Sequence, residues 1–231
     1  MKNHNDFILK PITDILEEAV SASAGIGSGI ETYPLCDYIM QSLFLKMTGF
    51  QEQKMKCICW ELATNDYEYR RVLLANKEDL GECSSFQAKS SIYKRLVSKV
   101  GGEILGDNEK RSILNETFSK IKALGNTNLS IWAEQNFNWF IKHHKNFIKI
   151  THFAKGNIFL ESSLKYDLLY NHRNRCAHNT QSYQQNLPTL NTLVNKDYVY
   201  ENYFVRFSIL ILIDKIFIYL YEIYLKMLEN N

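Results

Sequence analysis

The sequence predicts an all-α fold. Apolar residues recur at three- and four-residue spacing through most long windows, only Pro11, Pro34 and Pro188 interrupt 231 residues, and no credible alternating series marks a strand. Glycines gather at 25–29 and 101–106 and otherwise stand singly, which leaves the windows between them free to be helical.

In the first window Phe7, Ile8, Ile12, Ile15, Leu16, Ala19 and Val20 share one helical face, and the run of Gly25, Gly27 and Gly29 predicts its end. Pro34 suits a first helical position, where a missing N–H removes no intrahelical bond, and Leu35, Tyr38, Ile39, Leu43 and Met47 continue one face toward Gly49. A separate helix is expected over 51–63, with Met55, Ile58, Cys59 and Leu62 on one side. The same periodicity predicts helices over 67–76, 85–100, 108–124, 129–153, 159–177 and 200–229. Residues 199–212 are rich in β-branched and aromatic types, so a strand is the chief competitor there. Asn, Gln, Thr and Ser crowd 179–196 around Pro188, which reads as a long loop. No repeat or clear linker divides the chain, so one helical domain over 1–231 is expected, with room for a helical insert over about 80–130.

Lys and Arg number 27 against 25 Asp and Glu, a net charge of +2, so there is no global basic field and any nucleic-acid contact has to come from a local patch. A hydrophobic content of 45% is ample for a buried core. Five cysteines, an odd number without a C-x-x-C pair, read as reduced thiols rather than a disulfide framework. The polar opening from Met1 to Asp6 offers no signal-peptide core, so a cytoplasmic chain is expected. The most apolar stretch, 204–225, is broken by Arg206, Asp214, Lys215 and Glu222, which predicts a buried core or dimer helix rather than a membrane span.

Residues 169–183 read Leu-Tyr-Asn-His-Arg-Asn-Arg-Cys-Ala-His-Asn-Thr-Gln-Ser-Tyr, in which Arg173, Asn174 and His178 make an R-N-x-x-x-H spacing. An amphipathic segment carrying Leu160, Leu164, Leu168 and Leu169 precedes it. These residue types suit RNA cleavage by the substrate's own 2′-hydroxyl, which needs a base for that proton, an acid for the leaving 5′-oxygen and cationic donors for the phosphorane charge. An imidazole such as that of His178 transfers protons near neutrality, and the Arg173 guanidinium is a fixed fork matched to phosphate oxygens. One histidine per chain against two proton transfers implies a two-fold dimer that brings two copies of His178 into one cleft. On an ideal helix residues five apart are rotated by about 140° and separated by about 7.5 Å, so the helix is expected to end or distort within the motif. Asn174 reads as the organiser, through a hydrogen bond to the backbone at that irregular turn or to the His178 ring. Arg175 is a second phosphate contact or a solvated charge, and His172 a second proton carrier or polar surface. Cys176 and Ala177 carry no assigned chemistry.

The motif and its helical setting resemble the HEPN superfamily over roughly the last 100 residues, and Thr48-Gly49-Phe50-Gln51-Glu52-Gln53-Lys54 resembles that family's first core helix. The resemblance implies a HEPN-like helical bundle with additional helices, homodimeric about its motif helices. It also implies metal-independent endoribonuclease activity in active members, leaving 2′,3′-cyclic phosphate and 5′-hydroxyl ends, and noncatalytic binding roles in others. No cofactor is implied; the partners implied are RNA, a second copy of the chain and an antitoxin or defence-system protein, in a toxin or phage-defence role. Thr180 stands where some antitoxin-controlled members carry a tyrosine two residues after the histidine, which puts control by modification of that tyrosine in doubt. The competing readings are a noncatalytic HEPN module that binds RNA, a nucleotide or a protein, and a structural helical dimer.

His143, His144 and His152 invite a zinc reading but lack an acidic or cysteine partner at ligand spacing, so no metal is expected. Lys142, Lys145 and Lys149 recur at helical spacing in a basic, aromatic stretch and are candidates for RNA phosphates, against the plainer reading of a solvated face. Lys54 with Lys56, or Arg70 with Arg71, could likewise rim a cleft. No Walker loop, G-x-S-x-G elbow or H-E-x-x-H occurs, so an enzymatic reading rests on the one motif.

Overall fold

The computed structural model of the chain describes residues 2–75, 83, 85–101, 105–147, 166–177 and 202–230. Among these residues every regular element is helical and no strand occurs. The expected loop at 179–196 and the segment 148–165 lie outside them.

The first window divides into α1 (Lys2–Leu9) and α2 (Thr13–Ala22). Pro11 has no N–H with which to continue the ladder, so one long helix cannot form across it. At this corner the Lys10 N–H reaches Asp6 O at 3.2 Å, and the Ile12 N–H donates to the Asp214 carboxylate at 2.8 Å. Short 3₁₀ turns at Ser23–Gly25 and Ile30–Thr32 lead into α3 (Tyr33–Asn65), which carries Pro34 in its first turn as expected.

The two helices expected on either side of Gly49 are one helix of 33 residues. A helical glycine costs about 1 kcal/mol relative to alanine. Phe44, Met47, Met55 and Ile58 flank it and are 0% exposed, and burial of each such side chain contributes about 1.5–3 kcal/mol, so packing wins.

Helix α4 (Tyr67–Ala75) follows Asp66, whose Oδ1 accepts the Tyr69 N–H at 3.0 Å as an N-cap. The same carboxylate pairs with Arg95 at 2.6 Å and Lys99 at 2.8 Å, both on α5 (Phe86–Lys99). Ser85 caps α5 by accepting the Ala88 N–H, and just beyond it Gly101 takes a left-handed φ of 78° that a side chain would strain. Then come α6 (Asp107–Gly125), a 3₁₀ turn at Asn128–Ala133 and α7 (Glu134–Phe147), so the helix expected from 129 begins as a 3₁₀ turn. The motif segment is α8 (Tyr166–Ala177) and the last helix is α9 (Tyr203–Glu229).

Residues 203–212 are helical although their types favour strands. Every residue of α9 from Phe204 to Phe217 except Lys215 is buried because α1, α3, α5, α6 and α7 pack around the helix, and that burial overrides local preference. Asn202 caps it, accepting the Phe204 N–H at 2.9 Å and donating to Asn136 O on α7 at 2.7 Å. One hydrophobic cluster runs from Ile8 to Tyr224 and includes Ile92 and Leu96 of α5 and Ile113, Ile121 and Leu124 of α6. No helix among the described residues is long and apolar enough to cross a membrane.

At the centre the Lys54 ammonium lies 2.5 Å from the Asp214 carboxylate, with both side chains 0% exposed. Lys54 also donates to Lys10 O at 2.6 Å. Breaking such a pair leaves a buried charge uncompensated, so Asp214→Ala is expected to lower stability by about 3–5 kcal/mol in urea denaturation. The double change Lys54→Met, Asp214→Leu should recover only part of that, since Ile12 N–H and Lys10 O lose their partners; a loss below about 1 kcal/mol in Asp214→Ala would contradict this role.

Lys99, the Tyr69 N–H and Arg95 hold the Asp66 carboxyl well below the usual carboxylate range. A depressed folded pKa contributes stability above the ordinary value of 3.8 and loses it as pH falls toward the folded value. Asp66→Asn should therefore cost about 0.5–2 kcal/mol near pH 7, and the gap to the unaltered chain should narrow below about pH 4 in urea titrations at stepped pH.

Candidate functional site

Helix α8 lies against α3 and α5, and its spacing decides what faces them. Tyr166, Leu169, Tyr170 and Arg173 fall at three- and four-residue intervals and form one stripe. With Thr48 and Glu52 from α3 and Lys89 from α5 they line a small cleft open to solvent, with room for about one water molecule. Tyr166 and Leu169 are buried at 3% and 2% exposure and anchor the helix, while the Arg173 side chain, 27% exposed, stands at the cleft.

The Arg173 guanidinium is held from two sides. Its Nη2 lies 3.2 Å from Glu52 Oε2, and its Nη1 donates to Asn174 Oδ1 at 3.0 Å. Glu52 in turn pairs with Lys56 one turn along α3, at 2.8 Å. Lys89, 1% exposed, donates to Cys83 O at 2.7 Å with its ammonium 5.5 Å from the Tyr166 ring. Three cations, Arg173, Lys56 and Lys89, therefore stand around the single carboxylate of Glu52 at and beside the cleft. Of the three, Lys89 is buried, and Arg173 and Lys56 are the partly exposed ones.

Asn174 Oδ1 accepts from the Arg173 guanidinium, while the contact expected between Asn174 and the His178 ring involves a residue outside the described ones. His178 lies outside the described residues, as do Lys149, His152 and the side chain of Arg175. Helix α8 is described as far as Ala177.

His172 does not reach the surface. It is 7% exposed, its ring sits 5.2 Å from that of Phe44, and its Nε2 lies 3.1 Å from the Tyr203 hydroxyl and 3.3 Å from Cys176 Sγ. One residue of helix rotates a side chain by about 100°, which turns His172 inward while Arg173 meets the cleft. Arg206, 2% exposed, lies beneath it with its guanidinium 5.3 Å from the Tyr203 ring. The readings of His172 as polar surface and as an RNA contact are both corrected by this burial.

Lys54 is corrected too. Its ammonium belongs to the buried Asp214 pair, where burial pushes its pKa down against the pull of Asp214, and a side chain 0% exposed meets no strand of RNA. Lys142 and Lys145 are exposed on α7, and neither lines the cleft. His143 and His144 are engaged locally: each Nδ1 contacts a backbone carbonyl, at 2.8 and 2.9 Å, and their rings stack on Trp139 and Phe118. No group of three potential metal ligands occurs among the described residues.

Glu52, Thr48, Lys89, Tyr166 and Tyr170 join the site without having been singled out by spacing. Glu52 and Arg173 are 121 residues apart, so no local pattern links them. The signal that spacing offers is the Glu52 and Lys56 pair, at the i and i+4 positions that mark neighbours on a helix. Comparisons with protein-family models, with curated proteins and with solved structures find no match to the chain.

Proposed function

We propose that this chain is a metal-independent endoribonuclease of the HEPN type, cleaving RNA by attack of a 2′-hydroxyl on the adjacent phosphorus. The observation that carries the reading is the seating of Arg173, half-buried at a cleft, oriented by Glu52 and Asn174, on a helix whose sequence continues to His178. A guanidinium held in this way is pre-organised for phosphate oxygens and for the charge that grows on them in the transition state. His178 carries a proton, Arg173 binds the phosphate, and Asn174 positions Arg173. A second copy of the chain, related by a two-fold axis, supplies the second imidazole. Arg175, Lys142 and Lys145 guide the strand by its phosphates. The products carry 2′,3′-cyclic phosphate and 5′-hydroxyl ends, and the role is that of a toxin or phage-defence effector.

One observation favours a second reading, a noncatalytic HEPN-like module. Arg173 already has a carboxylate partner in Glu52, so its charge is met without any ligand. The two readings part on cleavage. Incubated with mixed cellular RNA in EDTA, the chain is expected to cut, and Arg173→Ala and His178→Ala each to slow cutting by about 10²–10⁴-fold while eluting like the unaltered protein. A strand with 2′-deoxyribose throughout is expected to bind and stay whole, because the nucleophile is missing. Undiminished cutting by either variant refutes the assignment; gel shift of RNA without any cutting, weakened in Arg173→Ala, supports the binding module.

A further inference from the structure

The ridge of α3 that leads away from the cleft carries charge first and then an aromatic ring. Glu52, Lys56 and Trp60 follow one another at four-residue steps, each of which climbs about 6 Å and turns about 40°. Arg173 stands at the first of them, 3.2 Å from Glu52. The Lys56 side chain, 32% exposed, is one step along, and Trp60 lies about 12 Å from Glu52 along the axis. A guanidinium, an ammonium and an indole therefore succeed one another on one surface.

Trp60 is 65% exposed, the most open of the three tryptophans. Trp132 is 37% exposed, donates from Nε1 to the Thr32 hydroxyl at 3.1 Å and meets Tyr33 edge-on, while Trp139 stacks on His143. Among the described residues the ring beside Trp60 is His4, at 6.4 Å between centroids and 84° between planes. His4 is itself held, its Nδ1 2.9 Å from Oε1 of Glu61, which is 3% exposed. A perpendicular neighbour fixed in this way braces the indole without covering it, so a planar ligand finds the ring already ordered.

A single strand of RNA offers the complement of this ridge, anionic phosphates along its backbone and unpaired bases with open π-faces. We propose that Trp60 is a stacking platform for one base of a single strand whose phosphates meet Arg173 and Lys56, about two nucleotides from the cleft. The inference rests on the reading of the cleft as an RNA site and not on whether the strand is cut. It sends the strand from the mouth of the cleft along α3 toward the end of that helix at Asn65. Stacking accepts any base, so Trp60 selects for an unpaired strand rather than for a sequence, because a base within a duplex keeps both faces in its own stack.

The test titrates the full chain with a single-stranded oligothymidine of 2′-deoxyribose, which lacks the nucleophile, and follows tryptophan emission. Binding should quench the emission of the unaltered chain, and Trp60→Phe should bind nearly as tightly with the quenching lost. Trp60→Ala should weaken binding by about 5–150-fold with an unchanged dependence on salt, because a ring and not a charge is removed. The same backbone without bases should bind Trp60→Ala and the unaltered chain alike. Tyr38→Ala, which removes a ring 67% exposed on α3 about 21 Å to the other side of Glu52, should leave affinity unchanged. A Trp60→Ala chain that binds as tightly as the unaltered one, or quenching that persists in Trp60→Phe, overturns the proposal. So does a Trp60→Ala chain that elutes as a smaller species, which makes this face a contact between copies. Failure of the unaltered chain to bind a single strand overturns the RNA reading and the platform together, whereas binding with Trp60 quenched but no cutting of RNA overturns the ribonuclease alone.

Discussion

Two charges that water cannot reach, the Lys54 ammonium and the Asp214 carboxylate, lie 2.5 Å apart between α3 and α9. Desolvation lowers Lys54 and raises Asp214, so each group alone is driven toward its neutral form, and what opposes this is the partner itself. The remaining valences are met by the corner between α1 and α2, since Ile12 N–H donates to Asp214 and Lys54 donates to Lys10 O. Three separate stretches of chain are thus fastened at one point. Such a pair adds little net stability relative to an apolar core, but it is strict about register: slide α3 by one residue and both charges are orphaned.

That strictness reaches the cleft through the phase of α3. Met47, Gln51, Lys54, Met55, Ile58 and Leu62 are buried together, and Gln51 donates to Leu210 O on α9 at 3.0 Å. The stripe of Thr48, Glu52, Lys56 and Cys59 lies about 100° further around the same helix. Locking Lys54 inward therefore aims Glu52 at Arg173 on α8. Uninterrupted passage through Gly49 matters for the same reason, because a break there would uncouple Thr48 from Lys54.

The fold class was legible because helical periodicity survives in each window, and α4, α5 and α6 fall within a residue or so of where spacing and caps place them. The misreadings share a cause, which is that local rules were asked to settle what packing decides. Gly49 looks like a stop until the buried residues on both sides are counted, and 203–212 looks strand-prone until five helices are seen to cover it. Pro11 was the opposite case, a local signal outvoted by an apolar pattern that ran across it. At the site, Arg173 and Asn174 could be picked out because their motif is contiguous, whereas Glu52 and Lys89 reach the cleft only through tertiary structure. Lys54 and Lys56 are indistinguishable as sequence, yet two residues of helical rotation bury one completely and leave the other at the edge of the cleft.

The same rotation separates two ion pairs of different kinds on one helix. Lys54 and Asp214 are both 0% exposed, so neither charge can leave the other without being stranded, and a pair so placed can only be structural. Arg173 and Glu52 are 27% and 15% exposed and 3.2 Å apart, within reach of water that can take over either charge. Exposed pairs contribute about 0–1 kcal/mol, and one this open lies nearer that end than the buried one. Glu52 also keeps Lys56 as a second partner when the guanidinium turns away from it. An arginine in this position is oriented without being committed, and exchange of a carboxylate for a phosphate is the first demand that the proposed chemistry makes of it.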